Sequence, residues 1–199
     1  RTTDMSILRA SEDGPYSLVV KNGARLDVNA AGTGKADLAV AEAVHKYTIF
    51  FEGDGPDGQG ALYNSAQDVN WGSFFSHLVL TGDASVGGYH LSVRAIDGSA
   101  NTDLIVEGPY QLTVKSPAYN YGFNFHTVHF ELDSLAVVGK IQFEGNITGV
   151  ITNGVQFVDN TVLALCSATV PPEVPITIAD GASVQLSRAN GAGTVNSDF

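Results

Sequence analysis

The chain has 199 residues, with 21 acidic against 10 basic side chains and a formal net charge of -11. With 44% hydrophobic residues, 16% charged residues and 22 glycines, it is too apolar for a disordered chain and too evenly spread for a collagen-like one. Phosphate backbones and anionic lipid attract basic surfaces, so the acidic balance argues against nucleic-acid binding. No apolar run approaches 18 residues, so membrane insertion through a helix is not expected either.

The chain opens at Arg1 with no charged-then-apolar leader, which reads as a processed protein or a segment of a longer one. Residues 1–15 are irregular and are taken as an N-terminal cap or linker, with 16–199 as a single domain. Only Lys35 to Lys46 (KADLAVAEAVHK) carries helix formers throughout, and there Val40 and Val44 compete. Elsewhere short runs rich in Val, Ile, Leu, Thr and Phe alternate with turn dipeptides. These are Asn22-Gly23, Gly87-Gly88, Asp97-Gly98, Asn153-Gly154 and Asp180-Gly181. The expectation is an all-β protein of many short strands. Cys166, the only cysteine, lies in the apolar run Val162 to Cys166 and reads as a buried structural thiol.

An apolar-x-apolar signature recurs at Leu26, Tyr47, Val69, Leu91, Leu112, Leu135, Val155 and Ile176, at intervals of 21, 22, 22, 21, 23, 20 and 21 residues. Each pair places two side chains on one face of a strand. A second set half a period away is clearest at Ile141, Leu163 and Val184. The spacing predicts a parallel β-solenoid of about eight or nine coils, in which inward side chains stack from coil to coil. Asn190 to Phe199 looks like a coil cut short. The alternative with as many short strands is an antiparallel β-sandwich of the jelly-roll kind.

The segments Gly60-Ala61-Leu62-Tyr63-Asn64-Ser65 and His77-Leu78-Val79-Leu80-Thr81-Gly82-Asp83-Ala84-Ser85-Val86-Gly87-Gly88 resemble the phrasing of bacterial surface β-helix proteins, autotransporter-like passengers among them. Lys21 to Val28 and Ala179 to Leu186 repeat the turn-then-strand pattern. The resemblance covers Ser17 to Leu186 and implies an exported, right-handed parallel β-helix at the cell surface or outside the cell. It implies no catalytic residues, because such families include adhesins, fibres and polysaccharide-degrading enzymes.

Gly53-Asp54-Gly55-Pro56-Asp57-Gly58 matches G-x-G-x-x-G in letters only: two aspartates would repel a pyrophosphate and the proline removes an amide. Ala31-Gly32-Thr33-Gly34-Lys35-Ala36 lacks the spacing of a phosphate loop. Glu52, Asp54 and Asp57 gather three carboxylates among flexible glycines, the donor type that calcium takes; the same residues also suit a solvated turn. His126 and His129 are three apart on an expected strand, on opposite faces, which argues against a shared metal. No serine sits in a G-x-S-x-G context. Asn146-Ile147-Thr148 forms a glycosylation sequon, of consequence only in a eukaryotic secretory pathway.

Pro117 to His126 alternates strictly, with Tyr119, Tyr121, Phe123 and Phe125 on one face. Facing inward these rings form a core stack. Facing outward, with Asn120, Asn124 and His126 beside them, they offer a platform for sugars. Arg94, Asp97, Asp103, Lys115, Glu131, Asp133 and Lys140 are spread over adjacent periods, and Glu131 and Asp133 would share an outward face opposite Val128, Phe130 and Leu132. The sequence therefore points to an exported structural or adhesin-like module without catalysis. A glycan, preferentially neutral, or a surface protein would be its partner, with no cofactor beyond calcium. The alternatives are a polysaccharide lyase or glycoside hydrolase on a β-helix, and a jelly-roll capsid or fibre subunit.

Overall fold

A computed structural model of the chain describes residues 16–27, 47–65, 77–88, 91–93, 104–116, 123–125, 127–143, 146–159, 161–165 and 174–187. These residues contain fourteen strands and no helix. The first seven are β1 (Tyr16–Val20), β2 (Leu26–Asp27), β3 (Tyr47–Gly53), β4 (Leu62–Asn64), β5 (His77–Gly88), β6 (Leu91–Val93) and β7 (Leu104–Ser116). The others are β8 (Phe123–Phe125), β9 (Val128–Phe143), β10 (Ile147–Ile151), β11 (Val155–Phe157), β12 (Thr161–Leu165), β13 (Ile176–Ile178) and β14 (Val184–Ser187). The Lys35 to Lys46 stretch, the 1–15 segment, Cys166 and the 190–199 tail lie outside the described residues.

Every strand pairing among the described residues is parallel, and the main path β1-β3-β5-β7-β9-β11-β13 holds seven strands. A jelly roll is built from antiparallel pairs, so that alternative is set aside.

The pairings sort into three ladders. In the first, Ile49, Leu78, Val106 and Phe130 lie in register on successive strands. In the second, Leu62, Val86, Val114, Val137 and Phe157 do the same. The third runs through Leu91, Phe123, Ile141, Leu163 and Leu186. The long strand β9 serves all three: Val128 to Leu132 pairs in the first, Leu135 to Gly139 in the second, and Lys140 to Phe143 in the third.

Period-2 alternation explains which side chains enter the core. Along β9, Val128, Phe130 and Leu132 are buried, whereas Glu131 between them is exposed. The core is one continuous cluster from Val20 to Leu163, and Phe125 sits within it against Phe130 (5.4 Å, edge-on) and Phe143 (5.6 Å, stacked). Burying each such side chain stabilises the fold by roughly 1.5–3 kcal/mol.

The expected register holds in the C-terminal half, where Leu112, Leu135, Val155 and Ile176 pair in succession. Leu91 does not belong to that column: Leu112 pairs with Ala84, and Leu91 pairs with Phe123 in the third ladder. Nor does Leu26 precede Tyr47, since Tyr47 pairs with Tyr16 and Leu26 with Leu62. The apolar-x-apolar motif is the same on all three ladders, so a fixed spacing cannot tell them apart where the connections lengthen. In the first ladder, Leu78, Val106, Phe130 and Gly149 are spaced 28, 24 and 19 residues apart.

Two local expectations fail for packing reasons. Gly87-Gly88 is not a turn but the end of β5. A side chain at Gly87 would strike the Gln59 carbonyl, so glycine here admits a close backbone approach. Strand parity opposite Ile141 and Phe143 would put Gln142 on the surface, yet it is 5% exposed, and the strand around it is buried on both sides. The turns at Asn22-Gly23, Asn153-Gly154 and Asp180-Gly181 are present, whereas Asp97-Gly98 lies outside the described residues.

Candidate functional site

Among the described residues, two grooves lie on the outward surface. The larger, of about 720 Å³, crosses the first ladder and is lined in part by Val79, Glu107, Pro109, Glu131, Asp133 and Val150. Its geometry follows from the register. Val79, Glu107, Glu131 and Val150 are consecutive partners, and beside them run His77, Ile105, His129 and Thr148. Buried Val106 and Phe130 put Glu107 and Glu131 on the outward parity, side by side on neighbouring strands. The pairing of β7 with β9 shifts register between Gly108 and Gln111, an irregularity that accommodates Pro109, a residue of the groove lining, inside a strand.

Each glutamate is held by a histidine. His77 Nε2 is 2.8 Å from Glu107 Oε1, an interaction between strands, and His129 Nε2 is 3.2 Å from Glu131 Oε1 within β9. The other ring nitrogen of His129, Nδ1, is 2.9 Å from Thr148 Oγ1. Asp133 accepts hydrogen bonds from Asn153 Nδ2 (2.7 Å) and Ser134 Oγ (3.1 Å), which fixes the carboxylate at the end of the groove. Among the described residues that line it there is neither Lys nor Arg. Carboxylates, imidazole and hydroxyl are thus arrayed across four successive strands over apolar Val79, Pro109 and Val150, a surface suited to a ligand with many hydroxyls and an apolar face.

The smaller groove, of about 400 Å³, lies on the second ladder beside residues 54–60, which join β3 to β4. This strap covers the outward positions Ser85 and Gly87. Two cations distant in the sequence hold it. Arg25 bonds both oxygens of Asp57, donates from Nε to the Gly60 carbonyl (3.0 Å) and lies over the Tyr63 ring at 4.2 Å. Lys115 Nζ donates to Asp54 Oδ1 and to the Gly58 carbonyl, both at 2.9 Å. Lys115, helped by the Ser85 hydroxyl, holds the Asp54 carboxyl below its ordinary pKa, and the Arg25 guanidinium does the same for Asp57.

The three carboxylates named for calcium have different partners. Glu52 accepts from the Asn22 backbone N–H (3.3 Å) near Lys21, while Asp54 and Asp57 each engage a different cation. Among the described residues no group of three or more His, Cys, Asp or Glu side chains is placed to hold a metal. Of the aromatic segment, Phe125 is in the core, and Asn124 lies in β8 in register with Gln142. Tyr119, Asn120, Tyr121 and His126, like Arg94, Asp97 and Asp103, lie outside the described residues. Glu131 and Asp133 do share an outward wall, but Glu107, and His77 bonded to it, have no signal in the sequence beyond strand parity. Only the register brings Glu107 to the same groove. Among the described residues no helix is long and apolar enough to cross a membrane.

No family model, curated protein or solved structure matches the chain.

Proposed function

We propose that the chain is a parallel β-solenoid segment of an exported, surface-displayed binding module, and that the groove of Glu107, Glu131 and Asp133 receives a neutral glycan. Parallel ladders with one shared core support the solenoid reading. The turn-then-strand phrasing supports placing it with adhesin-like β-helix proteins outside the cell.

The observation that carries the ligand class is the composition of the groove. Three carboxylates, a histidine and a threonine offer many acceptors to sugar hydroxyls, with apolar surface between them for the C–H face of a ring. A net charge of -11 and the lack of Lys or Arg among the described lining residues disfavour acidic glycans. The same lack disfavours a lyase, which needs a cation beside the uronate. A binding role is accordingly preferred to that of a lyase.

A glycan array with the wild-type chain and a Glu107→Gln, Glu131→Gln variant tests this. Binding to neutral glycans that the variant loses is expected. Salt-sensitive binding to acidic polymers would contradict the charge reading, and release of reducing or unsaturated sugars would move the protein to the enzymes.

A further inference from the structure

We propose that Asn22-Gly23 is a site of spontaneous modification, where the glycine nitrogen attacks the asparagine side chain, whereas Asn153-Gly154, the same dipeptide in another turn, is locked against it. The chain holds three Asn-Gly pairs, and these two lie among the described residues. The chemistry needs only water. The Gly23 nitrogen gives up its proton and bonds to Asn22 Cγ, the Cγ–Nδ2 bond breaks, and the amide nitrogen leaves with that proton as ammonia. Water then opens the cyclic imide at either carbonyl, leaving an aspartate or an isoaspartate. Glycine permits the attack because no Cβ shields its nitrogen.

The two turns differ in which amide closes them. The first is closed by the Ala24 N–H on the Lys21 carbonyl (2.8 Å), which leaves Gly23 at a central position, exposed, with φ of 79° and nothing within 4 Å of an added Cβ. A central N–H takes no part in closing such a turn. Among the described residues no backbone bond holds the Gly23 nitrogen back. The second turn is shifted by one residue, so its closing donor is the nucleophile itself: the Gly154 N–H bonds the Ile151 carbonyl (3.1 Å). Gly154 is also buried, and a Cβ there would strike the Pro175 carbonyl. The leaving group is held as well, since Asn153 Nδ2 donates to Asp133 Oδ1 (2.7 Å) and the Asn153 N–H to the Asp133 carbonyl (2.7 Å). Ring closure at Asn153 gives up bonds that Asn22 never makes. The product changes its surroundings: Glu52 Oε1 accepts from the Asn22 N–H (3.3 Å), so conversion sets a second carboxylate near it. The isoaspartate also adds a carbon to the main chain inside the closed turn.

Peptide mapping by mass spectrometry, on the whole chain aged at body temperature and mildly alkaline pH, tests the assignment. In the folded chain Asn22 should convert roughly tenfold faster than Asn153 or more, because the second turn must first release its hydrogen bonds. In denaturant the two rates should converge. Asp133→Ala frees the Asn153 side chain and should speed conversion there, with Asn22 unchanged. If that variant does not fold, the native and denatured wild type decide the matter alone. An Asn22 that stays intact in the folded chain, or converts no faster than Asn153, would overturn the proposal. So would a ratio that denaturant leaves unchanged, since the neighbouring residues and not the turns would then set it.

Discussion

Phe143 stacks on Phe125 with ring centroids 5.6 Å apart and planes 14° from parallel, because β8 and β9 bring the two into register in the third ladder. Phe125 is 1% exposed and also meets Phe130 edge-on, so the ring joins side chains of two ladders. Replacing Phe143 by Ala should cost about 3–5 kcal/mol, and Leu135→Ala about 2–5 kcal/mol. Chemical denaturation checks both. A loss below about 1 kcal/mol at Phe143 would mean that the core does not depend on this stack.

Gly87→Val separates the close approach of the strap from ordinary glycine flexibility. A Cβ at Gly87 would collide with the Gln59 carbonyl, so the substitution should destabilise by about 1–3 kcal/mol. Gly181 has φ of 78° and nothing within 4 Å of an added Cβ. Gly181→Ala should therefore cost only the left-handed strain, about 1–2 kcal/mol, and leave the strap alone. Protection of the Gly60 amide, which donates to Asp54 O, from hydrogen exchange distinguishes the two.

Acid should weaken the strap in a defined window. Asp54 and Asp57 are held below the ordinary value of 3.8 by Lys115 and Arg25 respectively. Their contribution is therefore full above the unfolded pKa and is lost as pH falls through the lowered folded values. The melting temperature of the wild type should be insensitive to these two groups between pH 7 and about pH 5 and fall below about pH 4. A Lys115→Met, Arg25→Met variant should lose less over the same acid range. Parallel curves for the two proteins would contradict the assignment.

The ladders from Leu112 onward were legible in the sequence because connections there keep the spacing near 21 residues, and an apolar-x-apolar motif then reports the register directly. Earlier in the chain the connections lengthen, and Leu91 falls into the wrong column because all three ladders use the same motif. Strand parity sufficed to turn Glu131 and Asp133 outward, since Val128, Phe130 and Leu132 had to be inside. It could not bring in Glu107, 24 positions away, or His77, 30 positions from Glu107, since both depend on which strands adjoin. Nor could the sequence show which cations meet the acid-rich turn at residues 52–57, since Arg25 and Lys115 lie 32 and 61 residues from Asp57 and Asp54.

The histidines give the groove a check of their own. His77 ties Glu107 to the preceding strand at 2.8 Å, whereas His129 ties Glu131 within β9. His77→Ala should free Glu107 and weaken glycan binding several-fold while changing stability by less than about 1 kcal/mol, as suits a half-exposed pair. Isothermal titration against the best glycan from the array, run beside denaturation, measures both. Unchanged affinity would remove His77 from the site.

The groove depends on the register that sets Glu107 beside Glu131. Neighbouring parallel partners are about 4.8 Å apart at Cα, within the span a disulfide can bridge. With the single native thiol removed by Cys166→Ser, a Glu107→Cys, Glu131→Cys chain should close an intramolecular disulfide under mild oxidation, seen as a shifted peptide pair by mass spectrometry. A Glu107→Cys, Asp133→Cys chain, one pleat out of register, should close it poorly. Cross-linking in the second chain and not in the first, with both folded, would contradict the account.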